Sequence, residues 1–350
     1  MRLFTLVIML FVLSTSVSCG EKSKKPFANI TIEQAKKLKL GDPLHANIKI
    51  KKRGGSIESV KVYLNSELVK ETKDEEFSIS IDKITELGTN VMSVDILKTD
   101  GKENKISQYL TVLSDITPKQ LKYTVKREFD HRREFYTQGL EYFKGNILES
   151  TGEHGESGIF LLDKNATSVM KEVRLDDKYF GEGVSVLNNK IYQLTWQSKK
   201  GFVYDADNFS LIDSFALPSN EGWGITNDGR HLIISDGTSR IFFLSPDNFK
   251  TQKSISIYND KGQVKYLNEL ELVGNKLYAN VYTTNTILQI DINTGQVLAY
   301  LDLSEVAKQM KGTTKYPLDY LNGIAWNKEK NTMLLTGKRW PKYFEVELSE

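Results

Sequence analysis

The chain has 350 residues, a length that allows one large domain or two ordinary ones. Hydrophobic residues make up 39% of it and charged residues 26%, which is typical of globular domains with a packed core. Lys and Arg number 47 and Asp and Glu 45, and the net charge of +2 gives no indication of a nucleic-acid-binding protein.

The N-terminal segment, residues 1–19, has the pattern of an export signal. Arg2 precedes an apolar run from Leu3 to Leu13. The run is too short for a membrane-spanning helix, which needs ~20 residues, but it has the length of a signal-peptide core. Small residues then lead to Cys19, in a pattern that resembles a bacterial lipoprotein signal. We therefore expect a lipid anchor on Cys19 and an exported protein attached to the cell envelope, in the periplasm or at the outer membrane.

The alternative for Cys19 is an ordinary secretory signal that leaves an idle thiol. In either case no disulfide can form within a chain that has one cysteine, so stability must come from packing. Residues 20–41 are expected to be a polar tether.

Residues 42–115 contain short segments in which apolar and polar residues alternate, as in Val60–Leu64 and Phe77–Ile81. Turn formers such as Asp100-Gly101 separate these segments. About 70 residues of regularly spaced strands without a helix predict a small immunoglobulin-like β-sandwich. It contains no candidate catalytic residue, so we expect a spacer or an adhesion module.

Residues 122–350 contain a fivefold repeat. Its copies begin at Gln138, Glu182, Trp223, Asn268 and Asn322, at spacings of 44, 41, 45 and 54 residues. Three further strand-like segments follow in each of the first four copies, and four strands in ~40–50 residues are the pattern of one propeller blade. The sequence therefore predicts an all-β protein: a five-bladed β-propeller preceded by a small immunoglobulin-like sandwich.

The last copy has only three strands, while an additional strand, Lys122–Phe129, lies before the first copy. We predict that this strand completes the last blade and closes the ring. Closure would remove the free strand edges that otherwise promote aggregation.

The five residues that begin the repeats open the innermost strands, so they converge on one mouth of the central channel. Glu182 is the only carboxylate among them. Beside aromatic residues it would be partly desolvated, which raises its pKa and suits it to proton exchange near neutral pH. Trp196, Tyr282 and Lys338 end second strands and flank the same region. Alternatively, the polar side chains of the ring hydrogen-bond one another and plug the channel.

Other chemistries find little support in the sequence. The four histidines are scattered without the spacing of metal ligands, and Cys19 belongs to the signal. A serine nucleophile elbow and a phosphate-binding loop are both absent. We therefore expect neither a catalytic metal nor a cofactor.

Nine short motifs follow one another along the propeller region. They are Tyr-Thr-Gln-Gly-Leu at 136–140, Glu-Ser-Thr-Gly at 149–152, Phe-Gly-Glu-Gly at 180–183, Tyr-Gln-Leu-Thr-Trp at 192–196, Glu-Gly-Trp-Gly at 221–224, Ser-Asp-Gly at 235–237, Tyr-Leu-Asn-Glu-Leu-Glu at 266–271, Leu-Asn-Gly-Ile-Ala at 321–325 and Thr-Gly-Lys-Arg-Trp-Pro-Lys at 336–342. In this order they resemble the plant-type glutaminyl-peptide cyclotransferases, which also occur in bacteria. The resemblance covers residues 122–350 and leaves the N-terminal region uncovered.

The resemblance implies a five-bladed propeller enzyme that converts the N-terminal glutamine of a peptide or protein into pyroglutamate, releases ammonia and uses no zinc. The family's catalytic acid falls on Glu182. Its pocket residues fall on Gln138, Phe180, Trp196, Trp223, Asn268 and Lys338. Tyr136 stands where the family usually has Phe, and Tyr282 where it usually has Trp. Because both keep an aromatic wall, we expect an altered substrate preference rather than a loss of activity.

We hypothesise that Glu182 shuttles one proton from the substrate's α-amine to the departing nitrogen. Asn268, Gln138 and Lys338 hydrogen-bond the amide oxygen as negative charge builds on it. Lys338 could instead form an ion pair that holds Glu182 in place. The competing functions are a non-enzymatic peptide- or glycan-binding surface propeller and a small-molecule hydrolase such as a lactonase.

Overall fold

The computed structural model of the protein describes residues 28–32, 37–51, 55–310 and 319–349. The expected signal segment, the lipidation at Cys19 and part of the expected tether lie outside the described residues. In the described ranges no helix is long and apolar enough to cross a membrane.

Eight strands form two sheets in the N-terminal part of the chain. They are β1 (Ala28–Ile32), β2 (Leu38–Lys39), β3 (Leu44–Ile50), β4 (Ile57–Leu64), β5 (Glu67–Thr72), β6 (Glu76–Ile81), β7 (Gly88–Lys98) and β8 (Glu103–Leu113). One sheet has the order β1-β3-β6 and the other the order β2-β8-β7-β4-β5. Alternate residues of β3 (Leu44, Ala46 and Ile48) share one core with residues of β4. The unit is thus two packed sheets, and its immunoglobulin-like character stays a prediction.

The structure differs from the sequence prediction at the start of this unit. Strands β1 and β2 lie within residues 20–41, which the sequence predicts to be tether. The reason is local: Ile30 and Ile32 pack against the sandwich core and Leu38 is buried in it. The sequence did not predict strand β5, because it is a polar, mostly exposed edge strand without a clear apolar alternation.

The rest of the described chain forms five sheets arranged as blades. Two strands precede them, β9 (Lys119–Gln120) and β10 (Lys122–Asp130). Blade one contains β11 (Thr137–Phe143), β12 (Asn146–Thr151), β13 (Gly158–Leu162) and β14 (Val169–Arg174). Blade two contains β15 (Gly181–Leu187), β16 (Lys190–Thr195), β17 (Lys200–Asp205) and β18 (Leu211–Ala216). Blade three contains β19 (Ile225–Asn227), β20 (Leu232–Ser235), β21 (Arg240–Leu244) and β22 (Thr251–Ser256).

Blade four contains β23 (Leu267–Val273), β24 (Lys276–Val281), β25 (Thr286–Asp291) and β26 (Val297–Asp302), and β9 adds a parallel fifth strand. The short helix α1 (Ser304–Met310) follows. Blade five contains β27 (Leu321–Asn327), β28 (Thr332–Gly337) and β29 (Lys342–Ser349), with β10 as its outer strand. The predicted five-bladed propeller is confirmed.

The ring closes through β10, as the sequence predicts. Strand β10 pairs antiparallel with β29, in a register that runs from Lys122 opposite Ser349 to Asp130 opposite Lys342. The inner strands β11, β15, β19, β23 and β27 contact one another in turn and complete a circle. Strand β10, which precedes blade one in the chain, therefore completes blade five.

Hydrophobic side chains fill the spaces between neighbouring blades. Five buried clusters lie in the described propeller, and each joins two adjacent blades. The cluster between blades five and one, for example, joins Leu334 to Leu140. Inner strands such as β15 are almost wholly buried, whereas outer strands such as β18 are mostly exposed.

The N-terminal unit packs against blades three and four. Tyr258, which follows β22, is part of the sandwich core and lies beside Gly88 of β7. Gln296 donates hydrogen bonds to the Ser114 hydroxyl at 3.2 Å and to Asp115 at 2.6 Å. These contacts involve the segment between the two units, which is therefore fixed at its start.

Candidate active site

One pocket at the channel mouth brings together nine of the ten residues that the sequence places around this mouth, all except Asn322. It has a volume of about 180 Å³. Its lining residues are Tyr136, Gln138, Phe180, Glu182, Trp196, Trp223, Asn268, Tyr282 and Lys338. Their placement in one pocket is observed, while their individual roles stay predictions.

Irregular strand pairing presents the polar residues of the pocket. In blades one, two, four and five the site position is the second residue of the inner strand, and the register shifts at that point. In blade one the pairing passes from Thr137 to Gly139 and skips Gln138. Bulges of this kind re-aim a side chain next to active sites. The sequence showed the repeat but gave no sign of the bulges.

Glycines allow the inner strands to approach each other at the same level. A Cβ atom on Gly139 would lie 2.4 Å from the backbone N of Val184, and one on Gly224 would lie 2.1 Å from the carbonyl oxygen of Asn268. No side chain fits at such distances. The glycine that follows the site residue in four repeats thus keeps the ring narrow enough for the pocket residues to meet.

Glu182 is the buried acid of the pocket, with an exposed fraction of 4%. Its Oε1 accepts a hydrogen bond from Nε2 of Gln138 at 3.0 Å. Asn322 in turn donates from Nδ2 to Oε1 of Gln138 at 3.2 Å, which fixes the orientation of that amide. Oε2 of Glu182 has no hydrogen-bond partner among the described residues. It is therefore the oxygen that remains for a bound molecule.

The ring side chains do hydrogen-bond one another, as the alternative interpretation expected, but they do not plug the pocket. Asn322 lies outside the lining of the pocket. Its Nδ2 donates hydrogen bonds to the Gln138 side chain and, at 3.0 Å, to the carbonyl oxygen of Thr137. Asn268 lines the pocket, is 3% exposed and has an unpartnered Oδ1 among the described atoms.

The surroundings of Glu182 favour its neutral form. Burial raises the pKa of this carboxyl well above the ordinary value of 4.5, the charge of Lys338 opposes that rise, and the carboxylate of Glu221 adds to it. A protonated carboxyl group can donate a hydrogen bond and release its proton on demand.

Lys338 lies deep beside the tyrosines rather than on the acid. Its Nζ is 4.8 Å from the ring centroid of Tyr136 and 5.0 Å from that of Tyr282. No ion pair joins it to Glu182 in the part of the chain that the structure describes. Burial lowers the pKa of Lys338, while the negative charge of Glu182 opposes that shift.

The turn after β28 places Lys338. Gly337 ends that strand, and a Cβ atom there would lie 2.4 Å from the Trp340 indole, so only glycine allows the turn to fold back. The N–H of Lys338 donates to the carbonyl oxygen of Tyr320 at 2.9 Å. Arg339 adopts a φ of 59°, in the left-handed region, and its N–H bonds to the Phe135 carbonyl oxygen at 2.9 Å.

Aromatic rings form the walls of the pocket. Phe180 contacts Tyr136 and Trp196 edge-on, with centroid distances of 6.0 Å and 5.6 Å. Trp223 contacts Tyr282 in the same way at 5.5 Å. Such edge-to-face contacts fix ring orientation as well as burying area.

Two residues near the pocket were not predicted. Glu221 accepts hydrogen bonds from both pocket indoles. Asp319 lies close to Tyr136 and helps to raise the pKa of its hydroxyl, behind the larger effect of burial. Glu221 was visible as the first residue of the motif at 221–224, whereas nothing in the sequence placed Asp319 at the pocket.

In the described ranges no group of three or more His, Cys, Asp or Glu side chains is arranged to hold a metal ion. The buried His131 serves a structural contact: its Nε2 lies 3.0 Å from Oε1 of Glu149 and its Nδ1 lies 2.6 Å from the Trp340 carbonyl oxygen. It therefore ties the end of β10 to blades one and five.

Comparison with known proteins decides the family. Residues 99–348 match the family model described as glutamine cyclotransferase, which covers more than half of the chain. The chain belongs to the glutamine cyclotransferase family. It is 37% identical over 228 residues to the glutaminyl-peptide cyclotransferase of Arabidopsis thaliana. This match covers 65% of this chain and 71% of the Arabidopsis protein.

A solved glutamine cyclotransferase structure shows the extent of the shared fold. The glutaminyl cyclase of Myxococcus xanthus superimposes with a TM-score of 0.62 at 30% identity. The match covers 98% of that chain but 66% of this one. About a third of this chain therefore has no counterpart in that solved chain.

Proposed function

We propose that this protein is a glutaminyl-peptide cyclotransferase that converts the N-terminal glutamine of peptides or proteins into pyroglutamate and releases ammonia. The observation that carries the proposal is the buried Glu182, which lies in an aromatic pocket with one oxygen unpartnered among the described residues. Membership of the glutamine cyclotransferase family supports the same reaction.

The reaction needs one proton to move between two nitrogens. The substrate's α-amine nitrogen attacks the side-chain amide carbon, so a C–N bond forms, and the bond from that carbon to the amide nitrogen breaks. The amine loses a proton and the departing NH₂ group gains one to leave as ammonia. Oε2 of Glu182 is the atom we assign to this transfer, because Oε1 already accepts a hydrogen bond from Gln138.

Negative charge builds on the amide oxygen as the ring closes. Asn268 and Lys338 line the pocket and supply the donors that we assign to this oxygen. One N–H of Gln138 is used by Glu182, so we assign Gln138 to holding the acid. The absence of a Lys338–Glu182 ion pair among the described residues favours the charge-stabilising role of Lys338 over the purely structural one.

The aromatic walls supply the conformation that ring closure requires. The glutamine side chain must fold back until its amide carbon lies close to its own amine. Holding reacting atoms in such a geometry contributes a large part of the rate of any cyclisation. Phe180, Trp196 and Trp223 form the slot in which this folded conformer would lie.

Ammonia release from a Gln-initiated dipeptide, with and without EDTA, tests the proposal. We expect ammonia and a pyroglutamyl product in both conditions. Glu182→Gln should lower turnover by about 10²-fold or more, the usual effect of losing a positioned acid–base group. Binding of the dipeptide without turnover would indicate a binding propeller instead, and hydrolysis of a lactone lost in EDTA would indicate a metal-dependent hydrolase.

We also propose that Cys19 carries a lipid that attaches the exported protein to the cell envelope. The apolar run before it and the small residues next to it support this proposal. Metabolic labelling with a fatty acid should label the wild-type protein and not Cys19→Ser, and the unlabelled variant should leave the membrane fraction. Equal labelling of both proteins would contradict the proposal.

A further inference from the structure

The carboxylate of Glu221 joins two walls of the pocket. Its Oε2 accepts the indole N–H of Trp196 at 3.0 Å and that of Trp223 at 2.9 Å. Its Oε1 accepts a hydrogen bond from Nε2 of Gln197 at 3.2 Å. Trp196 follows β16 in blade two and Trp223 precedes β19 in blade three. A single oxygen atom thus fixes two rings that come from different blades.

The loop that holds Glu221 is itself attached to both blades. The N–H of Gly222 donates to the Thr195 carbonyl oxygen at 3.2 Å, and the N–H of Trp223 donates to that of Ser235 at 3.0 Å. A Cβ atom on Gly222 would lie 2.7 Å from Cδ1 of Leu217 and 3.1 Å from Cβ of Leu194, so the loop packs closely on buried leucines. The backbone therefore sets the carboxylate at the junction of the two blades.

Burial alone does not hold the outer indole. The exposed fraction of Trp196 is 36%, and Phe180 contacts it edge-on, with a distance of 5.6 Å between the ring centroids. The hydrogen bond from the Trp196 indole N–H to Glu221 is directional and therefore restrains the tilt of this half-buried ring.

We propose that Glu221 is a positioning residue of the active site, which sets the separation and tilt of the Trp196 and Trp223 indoles and hence the slot that folds a glutamine side chain. The proposal rests on the proposed cyclotransferase activity. It gives Glu221, the first residue of the motif at 221–224, the role of positioning the two indoles. Because a displacement of ~1 Å in a reacting geometry can cost ~10²-fold in rate, the restraint matters for turnover.

Kinetics of Glu221→Ala and Glu221→Gln on a Gln-initiated dipeptide test the proposal, with Glu172→Gln as the matched control. Glu172 is an exposed glutamate of the outer strand β14, 3.5 Å from Arg174. Glu221→Ala should lower kcat by about 10-fold with little change in KM, since the apolar walls remain but lose their geometry. Glu221→Gln keeps an acceptor oxygen, so its kcat should fall less than that of Glu221→Ala. The kcat of the control Glu172→Gln should equal that of the wild type.

Two readouts separate positioning from a general structural effect. In a Trp196→Phe background, which lacks one indole N–H, the loss caused by Glu221→Ala should shrink, because coupled residues are not additive. The near-ultraviolet circular dichroism of the tryptophans should change in Glu221→Ala and stay unchanged in Glu172→Gln.

A wild-type kcat in Glu221→Ala would overturn the proposal. So would a reduction in kcat by Glu221→Ala that is as large in the Trp196→Phe background as in the wild type. An unchanged tryptophan band in Glu221→Ala would also overturn it. If the wild-type protein releases no ammonia from Gln-initiated peptides, the proposed function fails on its own. The tryptophan band then still decides whether Glu221 holds the two rings.

Discussion

At the scale of single residues, the Glu182 carboxyl group, which we assign to catalysis, also reduces the stability of the folded state. Glu182 is buried, and burial raises its pKa well above 4.5 while Lys338 offsets only part of that rise without forming an ion pair. An ionised carboxylate in this position would lose its hydration without full compensation. Functional groups of this kind commonly reduce stability, because a site tuned for activity is not tuned for folding.

Replacement of Glu182 by Gln should therefore separate stability from activity. The folded pKa of Glu182 lies above the unfolded value, so the folded state binds more protons, and this group's contribution to stability falls as pH rises from about 4.5 towards the folded pKa. The neutral amide of Glu182→Gln removes that fall. We expect the difference in Tm, variant minus wild type, to be more positive at pH 8 than at pH 5.

The same Tm difference at both pH values, in thermal scans of the two proteins, would show that Glu182 is not desolvated in the folded state. Glu172→Gln serves as the control, since that glutamate is exposed on an outer strand.

At the scale of elements, glycines and bulges build the pocket more than regular strands do. Gly152 leaves the space that the Phe180 ring occupies, since a Cβ atom would lie 2.3 Å from it. Gly237, with a φ of 77°, leaves the space beside the Trp223 indole, 2.6 Å from a Cβ atom at that position. The aromatic walls therefore depend on glycines in neighbouring turns.

Gly237→Ala should reduce activity beyond its effect on folding. Its matched control is Gly229→Ala, because Gly229 has a similar φ of 81° and nothing within 4 Å of its Cβ position. Both changes place alanine in the left-handed region, at a cost of about 1–2 kcal/mol. Only Gly237→Ala also pushes against Trp223, so only it should lower kcat on a Gln-initiated dipeptide. Equal kcat values in both variants would show that the Trp223 wall tolerates displacement.

At the scale of the whole molecule, five interblade cores joined in a circle stabilise the described propeller, and a separate core stabilises the N-terminal unit. The circle depends on β10, whose pairing with β29 covers the outer edge of blade five. The Lys126–Glu347 and Lys342–Asp130 ion pairs on this sheet are exposed and add little. The backbone ladder and the packing beneath it therefore carry the closure.

Truncation measures what the closure contributes. A chain that starts at Thr117 keeps β10, whereas one that starts at Gln138 lacks it, and both lack the N-terminal unit. We expect the shorter chain to have a clearly lower Tm and to aggregate, because its last blade exposes an unpaired strand edge. Equal thermal unfolding and equal solubility of the two chains would contradict a closing role for β10.

Much of this architecture could be predicted because it is local in sequence. Period-two alternation located strands of the N-terminal unit, and the fivefold repeat located the blades. The missing strand of the last repeat pointed to Lys122–Phe129 as its partner. The nine pocket residues were found because they occupy equivalent repeat positions or motifs. Repetition turns a long-range arrangement into a pattern that can be seen along the chain.

The remaining features depend on contacts that no repeat encodes. The register shift at Gln138 arises from how the strands pair in the ring. The indole N–H of Trp196 donates a hydrogen bond to Glu221, 25 positions later in the chain. Strand β1 pairs with β3 and packs on the sandwich core, so it depends on residues that follow it in the chain. Each of these requires the folded neighbours to be known first.

The order in which the chain is synthesised gives the closing strand a further consequence. Lys126 of β10 and Glu347 of β29 are 221 positions apart, so β10 emerges from the ribosome long before its partner exists. Until blade five has been made, the ring cannot close, because β29 is missing, and the pocket lacks Lys338. A translation product that stops before blade five would therefore leave β10 unpaired, which favours proteolysis and aggregation of that product.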